Sequence, residues 1–130
     1  MGKISVNSRF FRIIYDAKDN TIGVLIRSIR RAEDKYYKIF RVIPRRYRII
    51  IVYSREEFDR EAGQKTEIWV EGIVKKPKFV MFSPSVRDKF VKTIDGKYHE
   101  YDSFFDHEIN HMGMTFRKFF YADPVLLRRH

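Results

Sequence analysis

Two histidines and a glutamate stand close together late in the chain, in the order His107-Glu108-Ile109-Asn110-His111. Residues four apart on a helix project from the same face, so the imidazoles of His107 and His111 can hold one metal ion. Glu108 lies beside the first histidine, where its carboxylate can take a proton from a water on that metal. The spacing predicts a zinc site with Glu108 as general base. The alternative is a solvated histidine pair on a helix surface.

The motif lies within a predicted helix that runs from about Ser103 to Tyr121. Ser103 is suited to the N-cap, and Asp106 either supports that cap or accepts a hydrogen bond from a ligating histidine. Asp123-Pro124 ends the helix. Apolar residues at helical spacing form the face that we expect to pack inward: Phe105, Ile109, Met112, Phe116 and Phe119 or Phe120.

A second, longer helix is predicted from Thr21 to Val42, because its apolar residues recur at alternating intervals of three and four and Pro44 follows. These apolar residues are Ile22, Leu25, Ile29, Ala32, Tyr36, Ile39 and Ile43. The opposite, wet face carries Arg27, Arg30, Arg31, Lys35, Lys38 and Arg41. The pattern is typical of a helix that covers one face of a sheet.

Four strands are predicted from apolar and β-branched runs: Phe10–Tyr15, Tyr47–Tyr53, Thr66–Val74 and Lys78–Phe82. The run from Tyr47 is apolar on both faces and indicates a central strand. Ser54 with Glu57 predicts a capped short helix that Gly63 closes. We therefore expect an α+β fold with a small mixed sheet of about four strands, packed on the long backing helix and the motif helix.

The motif resembles the active-site helix of zincin metallopeptidases. The runs Trp69–Ile73 and Phe79–Pro84 are similar to the paired strands before that helix in the gluzincin group, especially its minimal, peptidase MA-like members. The resemblance implies that His107 and His111 bind zinc, and that Glu108 activates water to hydrolyse a peptide or protein substrate. It also implies that Lys78–Phe82 lies at the rim of the sheet, beside the motif helix, and accepts an extended peptide.

The third zinc ligand has no residue in its usual place. Gluzincins use a downstream glutamate, and this chain has none after Glu108, whereas Arg117 occupies the metzincin ligand position. Asp123 is the first substitute, followed by His130 and His99 or by a residue of another subunit. The single domain 1–130 is accordingly predicted either to be truncated relative to a longer parent or to carry a latency tail at 122–130.

Composition sets the remaining expectations. The 130-residue chain has no cysteine, so any metal must be held by nitrogen and oxygen ligands. Neither a membrane-length apolar run nor a signal peptide is recognisable, and we expect a cytoplasmic protein with no membrane partner. The sequence has few Asn and Gln residues and many charged ones, a composition that is typical of thermophile proteins.

The net charge of +10 supports an alternative function. Basic residues with interleaved tyrosines along 21–48 fit a nucleic-acid-binding module, in which the metal site is structural or vestigial. A solvated helix face is the simpler explanation for the same charges.

Overall fold

The protein is described by a computed structural model over residues 2–40, 46–75, 77–93, 95–98 and 100–109. The elements follow the chain as β1 (Lys3–Asn7), β2 (Phe11–Asp16), α1 (Ile22–Phe40), β3 (Tyr47–Val52), α2 (Arg55–Ala62), β4 (Gly72–Lys75), β5 (Lys78–Phe82) and α3 (Arg87–Phe90). A fourth helix, α4, covers described residues 101–109. None of the described helices is long and apolar enough to cross a membrane.

The fold is α+β, built on a mixed sheet of five strands in the order β1-β2-β3-β5-β4. The three inner strands β2, β3 and β5 are parallel, and each edge strand is antiparallel to its neighbour. Alternate side chains of the inner strands pack on opposite faces. One face, with Ile49 and Phe79, packs against α1 and α4, and the other, with Ile50 and Val80, packs against α2.

A buried glutamate joins α1 to the turn between β1 and β2. Glu33 lies on the inner side of α1 and is 1% exposed. Its carboxylate accepts hydrogen bonds from the Ser8 hydroxyl, from Arg9 N (3.3 Å) and from Phe10 N (2.7 Å). Buried carboxylates are tolerated when donors surround them, so this contact fixes the edge hairpin on the long helix.

A second carboxylate joins the carboxyl ends of the parallel strands. Asp19 accepts hydrogen bonds from Thr21 N (2.9 Å) and Thr21 Oγ1 (2.6 Å), from the Tyr53 hydroxyl (2.8 Å) and from the Ser83 hydroxyl (2.6 Å). Burial alone would raise the pKa of Asp19, but the hydrogen bonds from Ser83, Thr21 and Tyr53 outweigh it and lower the pKa. The charged form of Asp19 therefore holds the start of α1 against the ends of β3 and β5.

The predicted elements are largely confirmed. The long helix, the central position of β3 and the cap of α2 are as expected, with Ser54 accepting from Glu57 N and Gly63 at φ 75°. Of the apolar residues predicted to face inward on α1, Ile39 is 67% exposed, so that assignment is wrong. Residues 41–45 lie outside the described part of the chain.

Three predictions about the sheet need correction. It has five strands rather than about four, because the exposed segment Lys3–Asn7 adds an edge strand that was not expected. The strand predicted from Thr66 begins only at Gly72. Lys78–Phe82 is not at the rim, because β4 pairs with it from outside and occupies that edge.

Candidate functional site

Helix α4 presents the first half of the motif on its outer face. Phe105 and Ile109 are 0% and 1% exposed in the core cluster shared with α1, which confirms the inner face for these two residues. The others predicted for that face, Met112, Phe116 and Phe119 or Phe120, lie outside the described residues. His107 is exposed and Glu108 is half-buried. The helix begins at residue 101, so Ser103 lies inside it and the predicted N-cap at Ser103 is wrong.

Ion pairs fix α4 on α1. Arg31 contacts Asp102 (Nε–Oδ1 3.3 Å) and Asp106 (Nη2–Oδ1 3.0 Å), and Lys35 contacts Asp106 (3.2 Å). A hydrogen bond from Ser28 is the main cause of a lowered pKa for Asp102, and the hydrogen bond to Asp106 raises the pKa of Arg31. Asp106 thus pairs with α1 instead of serving the predicted cap, and the two helices hold the motif in one orientation.

A cleft of about 530 Å³ opens beside the motif. His107 and Glu108 line one wall, together with the aromatic side chains of Tyr101 and Phe104. The segment Trp69–Gly72, which leads into the edge strand β4, lines the other wall. The two polar motif side chains therefore face a largely apolar opening next to a sheet edge, as ligand sites commonly do.

Gly72 allows the two walls to approach. A Cβ at this position would lie 3.3 Å from the Val80 carbonyl oxygen and 3.7 Å from Cζ of Phe104 on α4. The first distance is tighter than most Cβ contacts, so a larger residue would require β4 and β5 to shift by a few tenths of an ångström, whereas the second is an ordinary van der Waals contact. Trp69, at the rim, is 50% exposed and leaves its ring available to a ligand.

Arg55 holds the wall that carries Trp69. Its guanidinium lies over the rings of Phe58 (5.1 Å) and Phe82 (4.7 Å). Burial lowers the pKa of Arg55. The terminal nitrogens donate to four oxygens: Thr66 Oγ1 (3.1 Å), Ile68 O (3.0 Å), Val70 O (3.1 Å) and Phe90 O (2.6 Å). One side chain thus replaces strand pairing for the stretch before β4.

The two tyrosines near the motif differ in their contacts. Tyr98 donates its hydroxyl to the Val91 carbonyl (3.2 Å). Tyr101 lines the cleft, and its buried hydroxyl makes no hydrogen bond to the described residues. Arg87 stacks 4.5 Å from the Tyr101 ring, and burial raises the pKa of Tyr101. Tyr101 is therefore the better placed of the two to donate to a ligand in the cleft.

Comparison with family models, curated proteins and solved structures finds no match for this chain. The site must be judged from its own geometry. Of the predicted site residues, the structure places His107 and Glu108 together on the cleft, whereas His111 and Asp123 lie outside the described residues, as do His99 and His130. Within the described ranges, no three His, Asp or Glu side chains converge to hold a metal.

Sequence reasoning did not identify Arg87 or the buried end of β5 as cleft residues. Arg87, Met81 and Phe82 all line the cleft. Their positions depend on the pairing of β5 with β3 and β4, which no local pattern reveals. The available signal was the segment Trp69–Gly72, in which a large aromatic residue lies three positions before the glycine that begins β4.

The basic helix face is partly neutralised. Arg31 and Lys35 pair with aspartates of α4, whereas Arg27, Arg30 and Lys38 are exposed. The basic charge that α1 leaves for binding nucleic acid is therefore smaller than the count of its Arg and Lys residues in the sequence indicates.

Proposed function

We propose that this protein is a zinc-dependent metallopeptidase-like hydrolase of peptide or protein substrates, with His107, His111 and Asp123 as metal ligands and Glu108 as the general base. The observation that carries the proposal is the placement of His107 and Glu108 on one wall of a cleft whose other wall leads into an edge strand. A resemblance to gluzincin metallopeptidases in the motif supports the same reading.

The described donors fit zinc by their chemistry. His107 offers an imidazole on an exposed helix face, and the chain has no cysteine that could supply a thiolate. Imidazole nitrogen is a preferred zinc ligand and a poor ligand for magnesium. When bound, the ion would acidify water and polarise the carbonyl to be cleaved.

The chain's own groups account for the remaining steps. Glu108, half-buried on the cleft wall, accepts a proton from the attacking water and passes it to the leaving amine. Tyr101 donates its hydroxyl to the oxyanion that develops on the carbonyl. Among the described strands, β4 pairs only with β5, so its outer edge can add an extended peptide as a further strand.

The experiment compares wild type with Glu108→Gln and with Glu67→Gln, an exposed glutamate that lies outside the lining of the cleft. Zinc content is measured by elemental analysis, and cleavage is measured on an unfolded protein substrate. We expect Glu108→Gln to keep stoichiometric zinc and lose activity, while Glu67→Gln keeps both. Activity that survives Glu108→Gln would refute the mechanism, and absence of zinc from unchelated protein would refute the metal site.

A second arm of the experiment tests the third ligand and latency. If Asp123 is a zinc ligand, Asp123→Asn is expected to weaken zinc binding. If Asp123 only ends the helix, the same substitution leaves the zinc content unchanged. A variant that stops after Pro124 is expected to be more active than the full chain if 125–130 blocks the cleft. Equal activity excludes latency, and unchanged zinc affinity excludes Asp123.

A further inference from the structure

The register of the sheet brings four basic residues into one row. Arg12 of β2 pairs with Arg48 of β3, Arg48 pairs with Lys78 of β5, and Lys78 pairs with Lys75 of β4. Neighbouring strands are about 4.8 Å apart, so the row spans about 14 Å across four strands. The first and last of these residues in sequence, Arg12 and Lys78, are 66 positions apart, and only the strand order places the four side by side.

All four side chains project from the face that carries α2. Their neighbours on the same face, two positions away along each strand, belong to or pack on the cluster around α2: Ile14, Ile50, Val80 and Ile73. That helix covers the carboxyl end of the parallel strands and reaches the row only with its last turn. There Glu61 pairs with Lys78 (3.1 Å), and the Ala62 carbonyl accepts from Lys75 (2.9 Å).

The other two residues of the row, Arg12 and Arg48, have no oppositely charged partner among the described residues. Arg12 and Arg48 are exposed, and neither side chain forms an ion pair or a hydrogen bond with any described residue. Like charges on directly paired positions destabilise a sheet. Among the described residues, the four cations have a single carboxylate in contact, Glu61, so the row is unfavourable for folding alone, and an anionic partner would relieve the repulsion.

We propose that this row, Arg12-Arg48-Lys78-Lys75, binds the phosphate backbone of nucleic acid, independently of the hydrolase proposed above. Guanidinium groups match phosphate oxygens in a two-pronged geometry. Each strand of a B-form duplex carries one phosphate per about 3.4 Å of helix axis, so a row of about 14 Å is long enough to contact more than one phosphate. The net charge of +10 favours a polyanion over an acidic peptide patch.

An anionic membrane is the less suitable partner for this face. Surfaces that bind membranes add exposed apolar side chains to their cations. Of the exposed large apolar residues described, Ile4 and Val74 project from the opposite face of the sheet by register, and the others lie on α1 or in the segment before β4. The row also has no aromatic platform, so binding is to phosphates and does not depend on base sequence.

The experiment measures binding of a fluorescein-labelled 20-base-pair duplex by anisotropy at several salt concentrations. Arg12→Gln/Arg48→Gln is compared with Arg27→Gln/Arg30→Gln, which removes the same charge from exposed positions of α1. We expect the row variant to bind about 10-fold or more weakly near 50 mM salt, with a salt dependence smaller by about two ions. The α1 variant should retain most of the affinity. Thermal unfolding checks that both variants are folded.

Three results would overturn the proposal. Equal weakening in both variants would show that net charge alone attracts DNA. Unchanged affinity in the row variant would place any nucleic-acid site elsewhere. Binding to phosphatidylserine vesicles that is lost in the row variant, without binding to DNA or to RNA of the same length, would assign the row to a membrane surface.

Discussion

Replacing Arg55 by lysine tests whether a single side chain holds the cleft wall. Arg55 donates from Nη1 to Thr66 and Val70 and from Nη2 to Ile68 and Phe90. Lysine keeps the charge and most of the stem over Phe58 and Phe82, but its single ammonium cannot span acceptors arranged around a planar fork. We expect Arg55→Lys to satisfy two of the four acceptors and leave the others to water.

The magnitude follows from the number of bonds lost. A hydrogen bond to a charged donor contributes about 1.5–3 kcal/mol, and the lower value applies because part of this segment is exposed. Two such bonds correspond to about 3 kcal/mol of unfolding free energy. For a domain of this size, that is a large share of a stability of about 5–15 kcal/mol.

Urea unfolding followed by fluorescence of Trp69 measures both the stability and the local change. Arg60→Lys, on the exposed side of the same helix, is the matched control and should change stability by less than about 0.5 kcal/mol. Amide hydrogen exchange at 68–70 should accelerate more in Arg55→Lys than exchange in α1. If Arg55→Lys is no less stable than Arg60→Lys, the guanidinium does not hold this wall.

Other predictions concern the carboxylates of Asp19 and Glu33 and the hydroxyl of Tyr101. Because the pKa of Asp19 is lowered on folding, its carboxylate stabilises the fold at pH values above the ordinary pKa of 3.8, and this stabilisation is lost as the pH falls below that value. Asp19→Asn should therefore flatten the fall in unfolding free energy measured by urea unfolding between pH 5 and pH 2.5. Glu33→Gln should lower the free energy of unfolding by about 2 kcal/mol, because the NH2 group of the amide cannot accept the hydrogen bonds that the carboxylate accepts. Asp34→Asn, on the exposed face of α1, should change it very little in the same assay. Tyr101→Phe should lower kcat about 100-fold with thermal stability unchanged; a normal kcat would exclude an oxyanion role.

Local patterns predicted the elements whose stability is local. The apolar periodicity of α1, the buried run of β3 and the caps at Ser54 and Gly63 each depend on neighbours in sequence. β1 was missed because KISVN exposes most of its side chains and is a strand only by pairing with β2. The stretch before Gly72 was extended too far because its shape depends on distant Arg55.

The site was predictable only in part for the same reason. The spacing of His107 and Glu108 predicted an outer helix face, and both line the cleft. The opposite wall depends on strand order: β5 was placed at the rim, although Phe79–Phe82 is buried on both faces, as an inner strand should be. Asp106 was assigned to a cap because its partners on α1 are more than 70 residues away in sequence.

The sheet divides the core into two hydrophobic clusters of different size, and the two walls of the cleft pack on different clusters. Among the described residues, helix α4 rests on a cluster of fifteen buried residues, whereas the cluster on the α2 side has seven. Local opening costs least where the fewest apolar contacts are broken. The wall with Trp69 packs on the smaller cluster through Val70, so it should yield first while the motif helix stays in place. A bulky chain would then enter by displacing one wall, and its affinity would include the free energy of that opening.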